Sequence, residues 1–160
     1  GVPYAIYQAS NYLYGHTVVM RFPDTIILPE GCIKALLEFQ QQKHSALTLG
    51  VFKTNHPERL GPVGLSEDGT ILEIQDKPQN PCANNTWNCV IWEDAFLDVI
   101  VELVNESRNV KGQNRELLIC EAFRRCIEKK LPVYGMMIEQ GVCIDISSVD
   151  DFVQLWRFKE

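Results

Sequence analysis

Apolar and polar positions along the chain fall into alternating helical and strand periods. Over 3–13, Ala5, Ile6, Ala9, Tyr12 and Leu13 share one face and predict a short helix. "HTVVMRF" is β-branched and apolar and predicts a buried strand. "PEGCIKALLEFQQQKH" has a helical period, with Ile33, Leu36, Leu37 and Gln40 on or near one stripe. "SALTLGVFKT" predicts the next strand and "NHPERLG" a loop. In "PVGLSEDGTILEIQDKP" two alternating runs flank "EDG", where Gly69 accepts the positive φ of a tight turn, so a hairpin is predicted. "NPCANN" reads as a loop and "TWNCVIWE" as a strand. "DAFLDVIVELVNE" and "RELLICEAFRRCIEKK" predict two helices, and "LPVYGMMIEQGVCIDI" two strands with a turn at Gln140-Gly141. "SSVDDFVQLWRFKE" closes as a helix, with Ser147 or Ser148 as N-cap and acids in its first turn. Helices alternating with strands, plus one antiparallel hairpin, predict a single α/β domain of three layers around a mixed sheet.

Composition narrows the function classes. The 160 residues suffice for one domain with a proper core, and 46% hydrophobic with 22% charged residues is ordinary for a soluble globular chain. A net charge of −6 argues against an electrostatic grip on nucleic acid or anionic lipid. No run approaches the length of a membrane span, and "GVPYAIYQAS" lacks the features of a secretory signal, so a cytoplasmic location is expected. Six cysteines are irregularly spaced, several within apolar runs such as "WNCVIW", which reads as buried free thiols. The three histidines have no cysteine at zinc-ligand spacing.

Three strand ends carry candidate chemistry. In "RFPDTIILP", Asp24 follows an apolar strand and a proline. Ligands of open α/β sheets gather at the carboxyl ends of strands. A carboxylate there suits Mg²⁺, and an aspartate after proline equally suits a turn cap. In "IQDKP", Lys77 stands at the end of a strand stopped by Pro78, placed for a phosphate or simply solvated at a turn. In "GVCIDIS", Asp145 interrupts an apolar strand before a helix; it reads as a second metal ligand or as that helix's cap. Acid, lysine and acid at three strand ends converge on phosphate chemistry.

The order of these motifs resembles the sugar-1-phosphate nucleotidyltransferase family, in its glucose-1-phosphate thymidylyltransferase-like branch. "GVPYAIYQA" is similar to the segment that opens a helix beneath the nucleotide base. "FPDTIILP" resembles the metal-aspartate motif, and "GPVGLSEDGTILEIQDKP" the hairpin ending in acid-Lys-Pro. "RELLICEAF" resembles the Glu-Leu helix start, and "GVCIDISSVDDF" the late aspartate motif. The resemblance implies a three-layer, Rossmann-like α/β/α fold, with Asp24 and Asp145 holding Mg²⁺ and Lys77 on the phosphate of a sugar-1-phosphate. It further implies substrate contacts at Gly1, Tyr4, Asp76, Cys89 and Glu116.

Departures from the family pattern shape the functional expectation. The family's first strand and glycine-rich G-x-G-x-R-L loop, which cradle the triphosphate, are not among these residues. Tyr4 stands where relatives carry glutamine, Cys89 where many carry glycine, and "DISS" replaces "D-I-G-T". The expectation is a truncated domain without autonomous catalysis that retains sugar-phosphate and Mg²⁺ binding. A non-catalytic regulatory or interaction subunit is one alternative. The other is an enzyme whose triphosphate loop comes from another chain. In the family's sheet the missing strand pairs with "TVVMRF", so residues 18–22 are expected to form an exposed edge used by a homodimer or a partner chain.

Overall fold

The computed structural model describes residues 1–109 and 116–146, with the backbone alone at Asp145. The closing helix expected over 147–160 lies outside the described residues. A four-stranded mixed sheet is built from β1 (Val18–Met20), β3 (Leu47–Lys53), β6 (Asn85–Trp92) and β7 (Val133–Met137), in the order β1-β6-β3-β7. β6 runs antiparallel to both neighbours, and β3 pairs with β7 in parallel. Two smaller ribbons complete the strands: β2 (Thr25–Leu28) with β8 (Val142–Asp145), and the hairpin β4 (Val63–Leu65) with β5 (Ile71–Ile74). Gly69 turns that hairpin at φ +85°, as its place after "ED" predicts.

Helices cover both faces of the sheet. α1 (Val2–Leu13), α3 (Asp94–Asn109) and α4 (Ile119–Glu128) lie over the larger core, and α2 (Cys32–Lys43) over the smaller. β3 serves both by strand alternation: Leu47, Leu49 and Val51 enter the larger core, Phe52 the smaller. α2 ends at His44, whose left-handed backbone returns its N–H to the carbonyls of Gln40 and Gln41. Gln40, placed near the apolar stripe by the sequence, is buried. Its Nε2 donates to Ser45 O at 2.6 Å and its Oε1 accepts from the hydroxyls of Ser45 and Thr48, so the amide enters the core with its polar atoms matched. No helix among the described residues is long and apolar enough to cross a membrane.

Three expectations shift. "TIIL" after Asp24 is a strand, β2, made by long-range pairing with β8 rather than by local pattern. The helix expected from Arg115 begins at Ile119, where Glu121 Oε1 accepts the Leu118 N–H at 2.9 Å. β1 is three residues long and half-exposed rather than buried, with Val19 at 39%. The cause is one-sided pairing: among the described residues β1 bonds only β6.

Four of the six thiols, Cys32, Cys89, Cys120 and Cys126, are buried. Cys89 faces Gly50 across the β3–β6 ladder. A Cβ on Gly50 would stand 2.1 Å from Cys89 Sγ and 3.4 Å from Leu36 Cδ2. The sulfur thus fills the place of the missing side chain. Gly50→Ala is expected to lower stability by about 1–3 kcal/mol through overpacking. The double variant Gly50→Ala/Cys89→Ala should recover part of that loss in urea unfolding. Equal loss in single and double variants would show that the sulfur is not what Gly50 accommodates.

Candidate functional site

The two acids singled out in the sequence come together through the β2–β8 ribbon. Its register sets Asp145 opposite Thr25, the residue after Asp24. The Ile146 N–H donates to the Asp24 carbonyl at 2.8 Å, which closes the end of the ribbon. The Asp24 side chain is exposed, because the ladder begins only at Thr25. Acids distant in sequence are therefore diagonal neighbours in the backbone.

Lys77 is held by its main chain. The Lys77 N–H donates to Leu60 O at 2.8 Å and the Gln75 N–H to Pro62 O at 3.0 Å, extending the closure of the hairpin beyond its ladder. Asn85 ties the same hairpin to β6: its Oδ1 accepts the Val63 N–H at 2.8 Å and its Nδ2 donates to Val63 O at 2.9 Å. Lys77 itself has φ +44°, a left-handed conformation that a side chain disfavours. Strained backbone of this kind persists where surrounding bonds over-determine it, and it is common at binding sites. Asp76, its neighbour, is exposed. Asp76 lies near enough to α4 to help raise the Cys120 thiol to about 11, a shift caused mainly by burial.

Trp87, on β6, joins these segments. Its ring packs 5.7 Å from Phe22, two residues before Asp24, and 5.0 Å from Phe123 of α4. Its backbone N–H donates to Gly61 O at 3.2 Å, next to the Leu60 carbonyl that holds Lys77. A Cβ on Gly61 would fall 2.4 Å from Trp87 Nε1, so a residue with no side chain lets the loop lie against the indole. A β-bulge follows immediately. Cys89 pairs with Gly50 and Trp87 with Val51, which leaves Asn88 as the extra residue. The bulge reverses strand parity, so Trp87 packs against the larger core and Cys89 enters the smaller. The Asn88 Nδ2 donates to Thr25 Oγ1 at 3.2 Å.

The remaining predicted residues take different positions. Gly1 and Glu116 are adjacent, with Gly1 N at 3.6 Å from Glu116 Oε1, and a Cβ on Gly1 would lie 2.3 Å from Leu117 O. Tyr4 is exposed on α1 and stacks with Tyr7, ring centroids 6.2 Å apart. The Arg108 guanidinium caps both rings and donates to both phenol oxygens, at 3.0 and 3.2 Å. Cys89 is fully buried beneath α2, and burial pushes its thiol up to about 12, so it is a protonated packing group. Thr25, Trp87 and Asn88 were not among the residues that the sequence singled out. The available signal was Asn88 itself, a poor strand former inside an apolar run.

The helices on both faces of a mixed sheet define an α/β domain, with Asp24, Asp145 and Lys77 at the ends of its ribbon and hairpin. The profile of the nucleotidyl transferase family matches residues 1–160, and the chain belongs to that family. Its fold is similar to that of a protein from Bacillus anthracis assigned as a glucose-1-phosphate thymidylyltransferase and crystallised with sucrose. That match has a TM-score of 0.82 and 16% identity, and covers 99% of this chain and 60% of the other. It is also similar to apo UDP-glucose pyrophosphorylase, with a TM-score of 0.77, 15% identity and coverage of 100% and 61%. An inositol-1-phosphate CTP transferase from T. maritima matches at 0.70, with 14% identity and coverage of 94% and 57%. The chain therefore spans about 60% of the length of the solved structures it matches.

The left-handed backbone at Lys77 separates conformation from charge. Lys77→Gly is expected to be more stable than Lys77→Ala by about 1 kcal/mol, because alanine keeps the strain that glycine relieves. Both lose the ammonium. Urea unfolding of the pair measures the difference, and equal midpoints would mean that the strain has no energetic weight.

Proposed function

We propose that this domain carries the metal- and sugar-phosphate-binding half of a nucleotidyl-transfer site whose acceptor is a sugar-1-phosphate. The observation supporting this reading is the β2–β8 register, with Asp145 opposite Thr25 and Asp24 next to it. Mg²⁺ takes oxygen ligands and is commonly held by one or two carboxylates, with water and phosphate oxygens completing its shell. The placement suits such an ion: the Asp24 carboxylate is exposed and makes no hydrogen bond or ion pair among the described residues, and the backbone of a second aspartate stands diagonally across the ribbon.

In the proposed reaction a phosphate oxygen of the sugar-1-phosphate attacks the α-phosphorus of a nucleoside triphosphate. The new P–O bond forms as the bond to the pyrophosphate leaving group breaks. Bound Mg²⁺ supplies neutralisation of the charge on the phosphate oxygens. Lys77 holds the acceptor phosphate as a point charge on a fixed backbone, and this restriction is the domain's main contribution to the chemistry. On this reading Gly1 and Tyr4 contribute to the base side, Glu116 supports Gly1 beside it, and Asp76 is a further substrate contact next to Lys77. Cys89, on β6, contributes packing beneath α2. Turnover on this reading calls on polypeptide outside residues 1–160 to hold the triphosphate.

A second reading, an interaction or regulatory subunit, is favoured by the surface around β1. Its outer edge is unpaired among the described residues, Val19 is exposed, and Tyr12 of α1 is 83% exposed. An open edge is a template for another strand. On this reading the added strand is polypeptide outside residues 1–160, supplied by a second copy or a partner chain, and the same docking would complete the transfer site.

Glucose-1-phosphate with Mg²⁺ is expected to raise the melting temperature, since a ligand at about 100 times its Kd stabilises by about 2.7 kcal/mol. Asp24→Asn should abolish the Mg²⁺-dependent part while the unliganded melting temperature stays near that of the wild type. Persistence of the Mg²⁺-dependent rise in Asp24→Asn would remove Asp24 from the metal site. Light scattering across micromolar concentrations is expected to show dimers that dissociate on Val19→Lys. A monomer throughout, with no mass gain when a full-length transferase is added, would count against strand docking at β1.

A further inference from the structure

We propose that Asn88 is a positioning residue that fixes the acid-bearing β2–β8 ribbon to the main sheet and thereby sets the affinity of the domain for a divalent cation. The inference rests on the reading of Asp24 as a metal ligand. It starts from a position in the ladder. Asn88 is the residue β6 has in excess over β3, so its side chain is released from the alternation that assigns its neighbours to the two cores. It lies just beyond the end of the β1 pairing, which stops at Met20 opposite Val90. There the chain leaves β1 through Arg21, Phe22 and Pro23 to reach Asp24.

The side chain is only 8% exposed, and its amide nitrogen meets Thr25 Oγ1 at 3.2 Å. Thr25 is itself 9% exposed, follows Asp24 in the chain and faces Asp145 in the ladder. β2 and β8 belong to a sheet separate from β6. The Asn88–Thr25 bond therefore joins the ribbon to the main sheet at the rung that carries Asp145, next to Asp24. Space filling does not account for the asparagine. Among the described residues its buried Oδ1 has no hydrogen-bond partner, a penalty that an apolar residue of similar size would avoid. Outer-shell partners that orient metal ligands typically alter affinity by about 10–100-fold when removed.

The test uses Mn²⁺, titrated into the chain and followed by the loss of the free-ion EPR signal, with melting temperature measured in parallel. Asn88→Ala is expected to weaken Mn²⁺ binding by about tenfold or more. Thr25→Val, which keeps the shape and removes the acceptor, should do the same with little change in melting temperature. Thr25→Ser, which keeps the oxygen, should bind as the wild type does. The double variant Asn88→Ala/Thr25→Val should be no weaker than the worse single variant, because both remove the same bond. Wild-type affinity in Thr25→Val overturns the positioning role while leaving the metal reading intact. Failure of the wild type to bind Mn²⁺ overturns the metal reading and this inference with it.

Discussion

Because β6 is hydrogen-bonded on both sides, to β1 and to β3, the face of nearly every residue along it is dictated by its neighbours. Asn88 is where that dictation lapses. On one side of the bulge Val90 and Trp92 serve the larger core and Cys89 and Ile91 the smaller. On the other side the parity is reversed, so that Trp87 packs with the larger core and reaches toward Phe22, Gly61 and Phe123. Without the extra residue Trp87 would point under α2, and the loops carrying Asp24 and Lys77 would lose their common contact. A single inserted residue thus allows one strand to be core in one half and scaffold for a site in the other.

Two different mechanisms hold the loops. The Asp24 side is fixed by a ladder, since β2 gains its regularity only from β8 and brings a remote aspartate with it. The Lys77 side is fixed by individual bonds beyond a short hairpin: Lys77 to Leu60, Gln75 to Pro62, and the two bonds between Asn85 and Val63. Asn85 works there as a piece of strand, presenting a donor and an acceptor to one peptide unit as backbone would. A ladder resists shear along its length, whereas separate bonds fix one point well. The point fixed here is the backbone of Lys77.

The elements whose signals are local were legible in the sequence. α2 and α3 show their stripes, and the β4–β5 hairpin is announced by Gly69 between alternating runs. The coincidence of Asp24 and Asp145 at strand ends was legible as a pattern, but not the ladder that joins them, because pairing between residues 25 and 145 leaves no short-range mark. β2 was hidden for the same reason, with Pro23 and Pro29 closing off a run too short to declare itself. The bulge was hidden by composition. Apart from Asn88, the run from Trp87 to Trp92 is apolar throughout, so a change of face alters nothing in the hydrophobic pattern. Val19 shows the opposite case, an apolar residue in an apolar run that is left half in water because its strand has one neighbour.

The strand order also sets a timetable for synthesis. Val18 pairs with Trp92 and Thr25 with Asp145, so the earliest strands find their partners only when much later ones have been made. β3, the most buried strand, is made before either of its neighbours β6 and β7. Closing such long loops carries an entropic cost before any contact repays it. Until β6 is made, β1 and β3 lack the neighbour they share, and unpaired strand edges are aggregation-prone. Arrival of β6 ends that interval, because one strand supplies the missing edge to β1 and β3 together.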